Sequence, residues 1–364
     1  MKPRLPISVL VVDNSPVVRT TLRRVLNEAS DINVVACAKD AFEARGFIIE
    51  HKPGVIVLSR DLPRIDGLAF LRKLMAHYPV PVIMCCPPRA PRDQTAMKAI
   101  ELGATDVVMK PSVNLPQDLR CLGLDLVDKI RAAAQAIRRP PAIPPNVIIE
   151  PIPYSQLGID PARYLVAVGA STGGTEAIKT MLALLPADFP PVAIVQHMPE
   201  AFTGAFAARL DQSSRVRVTE ALDGDVLLPG RAFLARGGIQ MSVAAGSGGY
   251  RIKLGTRELV NRHCPSVDVL FDSVAEAAGE HAAGILLTGM GADGARGLLK
   301  MRQAGAITIA QDRRTSVVYG MPKVAAEIGA AQLVQPLAQI PLAVARAFRQ
   351  RSRTAASCAN AQIS

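Results

Sequence analysis

The chain contains no tryptophan, and aromatic residues make up only 4% of it. Stacking on bases needs such side chains, so a nucleic-acid partner is not expected. The six cysteines, at positions 37, 85, 86, 121, 264 and 358, form no CxxC pair and no His/Cys metal spacing. Reduced thiols in a cytosolic protein are the simplest reading, with no metal site and no cofactor expected. No apolar run approaches the length of a membrane span, so membrane insertion is not expected. The opening MKPRLPISVLVVDNS reaches an acidic residue too soon for a signal peptide, which points to the cytoplasm. Acidic residues are in deficit: 31 Asp and Glu stand against 42 Lys and Arg, a net charge of +11. Small clusters such as Arg138-Arg139 and Arg313-Arg314 each read as solvated surface, but the total favours an acidic partner.

What is present is apolar sequence in a repeating order. Hydrophobic residues make up 49% of 364 residues, enough for two cores. Residues 7–137 alternate β-branched runs (ISVLVVD, INVVACA, VIVLS, PVIMCC, DVVMK) with amphipathic helical runs such as VVRTTLRRVLNEA and GLAFLRKLMAHY. This predicts a five-stranded parallel sheet covered on both faces, the flavodoxin-like arrangement. Residues 138–161 are Pro-rich without helical period and read as a semi-rigid linker. From residue 162 the alternation returns: LVAVGAS, VAIVQHM, AAGILLTG, AITIAQD and AQLVQ each adjoin helical runs. A second, mostly parallel, doubly wound α/β domain is expected over 162–350. Strands and Gly-rich turns between residues 215 and 255 suggest an antiparallel insertion beside its sheet. Residues 351–364 read as a flexible tail.

The strongest local feature is Gly169-Ala170-Ser171-Thr172-Gly173-Gly174, which follows an apolar strand and opens a helix. It contains the G-x-S-x-G nucleophile pattern in the strand–turn–helix setting that pattern needs. Taken alone, the run fits a phosphate-binding turn equally well. Two further strand ends change the balance. VAIVQ runs into His197, and GILLTG runs into Met290-Gly291-Ala292-Asp293-Gly294. Functional groups gather beyond the carboxyl ends of parallel strands, so Ser171, His197 and Asp293 can share one rim. They are a hydroxyl nucleophile, an imidazole base and a carboxylate to orient it. Singly, the His fits a surface or capping residue and the Asp a turn or helix cap. The order Ser, His, Asp differs from the Ser, Asp, His order of α/β-hydrolases.

With these residues in view, residues 164–340 resemble the catalytic domain of the chemotaxis protein-glutamate methylesterase family (CheB). The matching stretches are GASTGGTEA, QHMP, DG(x)4LPG, NRHCPSVDVLF, LTGMGADGARG and MRQAGA, in order along the domain. The resemblance implies that Ser171, His197 and Asp293 are nucleophile, base and orienting acid. It places Thr172 beside the nucleophile and Met290 on the rim, as oxyanion candidates through backbone N–H groups. Arg262 and His263 fall in a matching motif without an assigned role, His263 being read as structural or helix-capping. The implied reaction is hydrolysis of glutamate methyl esters on cytoplasmic helices of methyl-accepting chemotaxis receptors, with glutamine deamidation beside it. The chemotaxis kinase and other array proteins are the further partners implied.

Residues 7–137 are similar to the receiver domain of response regulators, through VLVVDNS, LPRIDGLAFL and AIELGATDVVMKP. The similarity implies acidic residues that bind Mg²⁺, an Asp phosphoacceptor, a switch hydroxyl and a Lys. Only Asp13 and Lys110 match. Asn14 stands in the acidic pair, Ser59 at the acceptor position and Cys86 at the switch position. Asp61 lies in the following loop and is not expected to replace the acceptor. The receiver is therefore read as degenerate, with no phosphorylation and no metal expected there. Two other classes of function compete. A non-enzymatic signalling or docking module gains from the degenerate receiver but leaves the intact triad positions without a purpose. A nucleotide-binding protein lacks a P-loop Lys and a complete G-x-G-x-x-G.

Overall fold

The computed structural model of the protein describes residues 5–87, 95–111, 115–135 and 152–361. The chain separates into two compact units, Met1–Arg139 and Pro140–Ser364.

The first unit carries strands β1 (Ile7–Val12), β2 (Ile32–Ala38), β3 (Val55–Ser59), β4 (Val82–Cys86) and β5 (Asp106–Met109). Helices α1 (Pro16–Asn27), α2 (Ala41–His51), α3 (Gly67–His77), α4 (Thr95–Glu101) and α5 (Pro116–Gln135) alternate with them. The strands form one parallel sheet in the order β2-β1-β3-β4-β5. Every residue of β3 and β4 is buried, as expected of central strands covered on both faces. Helix α1 starts where it does because Pro16 suits the first helical position and the Ser15 hydroxyl accepts from the Val18 N–H at 3.4 Å. Its apolar stripe, Val18, Leu22, Val25 and Leu26, is buried. Val18, Leu22 and Leu26 join Val9, Val11, Val57 and Ile83 of the sheet and Leu119, Leu126 and Ile130 of α5 in one core.

The second unit is built on strands β6 (Leu165–Ala170), β7 (Val192–Gln196), β8 (Arg217–Glu220), β9 (Val226–Leu227), β10 (Arg231–Leu234), β11 (Met241–Gly246), β12 (Gly249–Leu254), β13 (Ala282–Leu286), β14 (Ile307–Gln311) and β15 (Leu333–Gln335). Its helices are α6 (Gly174–Ala183), α7 (Glu200–Ser213), α8 (Val267–Ala278), α9 (Ala295–Gln303), α10 (Met321–Glu327) and α11 (Ile340–Ala361). Seven strands form a parallel sheet in the order β15-β14-β13-β6-β7-β10-β8. A separate antiparallel sheet, β11-β12-β9, is the expected insertion. The insertion is narrower than the expected span of 215–255, because β8 and β10 pair in parallel and extend the main sheet beyond β7.

Two boundaries also differ from the sequence reading. Most of the proline-rich stretch, residues 138–151, lies outside the described residues. Its last part is not linker: Tyr154 is buried, packs edge-on against Phe189 at 5.1 Å, and with Ser155 donates backbone N–H groups to Asp188. A large aromatic ring among prolines has more to gain from burial than from solvent. At the other end α11 continues through Ala361, past the boundary expected at 350.

Sheet order decides where a site can form. Strand β6 lies between β7, which follows it in sequence, and β13, which comes much later. The chain thus leaves β6 toward one side and returns on the other, the topological switch at which open α/β sheets bind ligands.

Candidate active site

The three strands at this switch deliver the three expected residues. Ser171 follows the last residue of β6, His197 follows the last residue of β7, and Asp293 lies in the loop after β13. The strands stay zipped up to the site: the Ser171 N–H donates to Thr288 O at 3.0 Å, and the His197 N–H donates to Ala170 O at 3.0 Å. The buried Gln196 amide ties Ser171 and His197 together, donating to the carbonyls of Ser171 (2.9 Å) and His197 (3.1 Å). Gly173 turns the chain into α6 with φ +78, and a Cβ there would meet the Val317 side chain at 2.5 Å.

His197 Nε2 lies 2.9 Å from Asp293 Oδ2. Asp293 is almost wholly buried, and its two oxygens are saturated. Oδ2 also accepts from the Val267 N–H at 2.7 Å. Oδ1 accepts from Asn261 Nδ2 and Ser266 Oγ, both at 2.7 Å, and from the Asp268 N–H at 3.4 Å. Val267 and Asp268 open α8, so the carboxylate caps the N-terminus of a helix distant in sequence and gains from its dipole. Burial alone would push the Asp293 carboxyl up. The hydrogen bond and charge of His197, with the bonds from Asn261 and Ser266, outweigh it and hold the group well below the ordinary carboxylate range. An ionised acceptor on Oδ2 calls for an N–H at Nε2. Nδ1 is buried without a hydrogen-bond partner. It is the one nitrogen of the ring left to take a proton.

The loop that carries Asp293 also reaches Ser171. A Cβ added to Gly289 would come within 2.8 Å of Ser171 Cβ. Thr288, fully buried, donates its hydroxyl to Thr172 O at 3.0 Å and receives the Val318 N–H at 2.9 Å. Among the described residues, the N–H of Met290 donates to no backbone carbonyl.

Residues 166–344 match the family model for the CheB methylesterase, and residues 9–120 match that for the response regulator receiver domain. Over 351 residues, 95% of this chain and 100% of the relative, the chain is 44% identical to the protein-glutamate methylesterase/protein-glutamine glutaminase of Sulfurimonas denitrificans. The chain belongs to the CheB methylesterase family. A second relative of the same name, from Pseudomonas aeruginosa, is 44% identical over 348 residues, covering 95% of this chain and 98% of its own length. The crystal structure of the Thermotoga maritima CheB methylesterase catalytic domain aligns with 37% identity and a TM-score of 0.49, covering 50% of this chain and 97% of that one.

The receiver unit of this CheB family member holds a different arrangement from the one its fold class implies. Asp13 and Ser59 are buried, and Lys110 is ion-paired with Asp13 while donating to Ser59 Oγ at 2.8 Å. Asn14 is exposed, and Cys86 is buried at the end of β4. These residues do not fit Mg²⁺: the single carboxylate of the set is already neutralised by an ammonium, and hard cations require several oxygen ligands. Asp61 offers its backbone carbonyl, not its carboxylate, to Ser59 Oγ, at 3.5 Å.

Several contributors to the active site have no assignment in the sequence reading. Asn261, Ser266 and the α8 N-terminus saturate Asp293, Gln196 and Thr288 fix the backbones, and the His263 ring stacks on His197 with centroids 3.7 Å apart. His263 does not cap a helix; Ser266 holds that position. One signal was available: Gln196 and Thr288 are polar residues at the buried ends of apolar strands, where polar groups are kept only if paired.

Proposed function

We propose that this protein hydrolyses glutamate γ-methyl esters on the cytoplasmic helices of methyl-accepting chemotaxis receptors, and deamidates glutamines there, using Ser171, His197 and Asp293. The observation that carries the site assignment is the imidazole of His197, tied through Nε2 to a buried carboxylate and without a partner at Nδ1, at the end of the strand beside that of Ser171. No hydrogen bond joins Ser171 Oγ to His197 in the resting site, as is common before substrate binds.

In the reaction, Ser171 Oγ attacks the ester carbonyl carbon while His197 Nδ1 takes the hydroxyl proton. Asp293 remains ionised and stabilises the imidazolium through Nε2–H. The carbonyl oxygen becomes an oxyanion, met by the N–H of Met290 and the turn at Thr172. Collapse breaks the bond to methoxide, which leaves as methanol with the proton from Nδ1. Water then attacks the acyl-enzyme, giving one proton to Nδ1; that proton returns to Ser171 Oγ as the acyl bond breaks, and the released glutamic acid side chain gives the other to solvent as it becomes a carboxylate. With glutamine the first leaving group is ammonia.

The division into Met1–Arg139 and Pro140–Ser364 supports a regulatory receiver joined to this enzyme, with the boundary in the proline-rich stretch. No described helix is long and apolar enough to cross a membrane. The cytoplasm is the compartment in which the proposed substrate is reached. A serine-directed fluorophosphonate should label Ser171, and methanol release from methylated receptor should fall by at least about 10³-fold in Ser171→Ala and His197→Ala. Near-normal release by either variant would refute the assignment, and a wild type that binds receptor without releasing methanol would make the protein a docking module.

A further inference from the structure

His197 is held by one hydrogen bond, from Nε2 to Asp293, and the nitrogen that must receive the serine proton has none. A ring anchored at Cβ and at Nε2 can still tilt about the line joining them, and tilt moves Nδ1. What opposes tilt is a flat surface in contact with the ring. His263 supplies one: its imidazole lies nearly parallel to that of His197, at 13°, with centroids 3.7 Å apart.

The backbone that carries the partner ring is itself fixed from several directions. Val260 and His263 exchange both backbone hydrogen bonds, at 3.0 and 2.9 Å, across a tight two-residue turn. The turn residues Asn261 and Arg262 both have positive φ, +52 and +70. That is the backbone of a type I′ turn, for which Asn is suited at the first position. The buried Gln240 side chain donates to the carbonyls of Glu258 (2.8 Å) and His263 (3.1 Å) and accepts the Ser266 N–H at 2.8 Å. One turn thus presents two groups to the site. Asn261 reaches Asp293, and two residues later His263 reaches the ring that Asp293 holds.

We infer that His263 is a positioning residue for the hydrolysis, its ring face setting the plane in which His197 presents Nδ1 to Ser171. The inference rests on the proposed triad. The contribution belongs to the flat face, not to proton transfer by His263. A side chain of the same shape without titrating nitrogens therefore preserves it, and a small side chain does not.

The test compares His263→Ala, His263→Phe and Ser171→Ala in the full-length protein. Thermal melts establish folding, and kcat and KM are measured separately for methanol release from methylated receptor. His263→Ala should lower kcat about 10- to 100-fold, the size of effect that misplacing a catalytic group produces, with KM nearly unchanged. His263→Phe should recover most of that loss. A folded His263→Ala with wild-type kcat would overturn the inference, and so would a folded His263→Phe as impaired as His263→Ala. Should His263→Ala not fold, His263→Phe alone decides: near-normal kcat supports the role and loss refutes it. Inactive Ser171→Ala beside undiminished His263→Ala removes this inference and leaves the triad. Active Ser171→Ala removes the triad and the inference with it.

Discussion

Lys110 donates to the Ser59 hydroxyl at 2.8 Å while paired with Asp13, so the centre of the receiver site is closed by a single ammonium. In a phosphorylating receiver that lysine answers charge arriving on a carboxylate. Here the position holds a neutral hydroxyl that cannot form an acyl phosphate and does not mimic one. Incubation with acetyl phosphate and Mg²⁺ is expected to add no hydroxylamine-sensitive phosphate and to leave esterase activity unchanged. Stoichiometric phosphate within residues 55–66, with activation, would show that the site still works as a switch. Deleting residues 1–137 then asks what the unit does. A large gain in activity means that it still inhibits, leaving release to a partner that binds one arrangement better as the mechanism to be sought; no gain means that it only docks.

Asp293 makes stability depend on pH in a defined direction. Its carboxyl titrates well below the unfolded value of 3.8, so its contribution is fully present above that value and is lost as pH falls through the folded one. Asp293→Asn keeps the size but removes the charge and points an amide N–H₂ among donors. The variant should lose about 3 kcal/mol at pH 7, and the gap from wild type should narrow below pH ~4. Urea melts from pH 3 to 7 measure it, and a gap independent of pH would mean that the carboxylate charge does not stabilise the fold. Activity should fall sharply, though less than in Ser171→Ala.

Gly289 tests how tightly the loop that carries Asp293 is fitted to Ser171. A Cβ there would meet Met321 Sδ at 2.2 Å and Ser171 Cβ at 2.8 Å. Met321 can move, but Ser171 sits on a backbone bonded at Thr288 and Gln196. Gly289→Ala is expected to cost about 1–3 kcal/mol by overpacking and to lower kcat about 10²-fold through displacement of Ser171. A variant that loses stability while keeping kcat would show that the loop tolerates the shift.

The two parallel sheets, and the position of Ser171, His197 and Asp293 beyond strand ends, were legible because they rest on local patterns; the switch point was not, because it depends on strand order. Continuous apolar runs mark central parallel strands, and chemically distinct residues at the ends of three such runs are hard to explain separately. Asn261, His263 and Gln240 were not legible as site-supporting residues, because their roles exist only once a turn far from Asp293 in sequence folds against it. Strands β8 and β10 are four-residue runs set among Gly-rich turns, and only the partner strands decide that they pair in parallel with the main sheet. Tyr154 shows the same limit from the other side: prolines announce a linker, and the ring among them is buried.

His197 finds its acid 96 residues further along the chain. Serine and imidazole come from neighbouring strands early in the unit, and the carboxylate follows only after the antiparallel sheet and α8 have been made. Contacts of such sequence separation carry a loop-closure cost that local contacts do not, and are slow to form. A nascent chain, or a fragment ending before β13, holds a hydroxyl and an imidazole with nothing to orient or charge them. With the triad proposed above, hydrolysis begins only when the unit has closed on itself, and a half-synthesised chain releases no methanol.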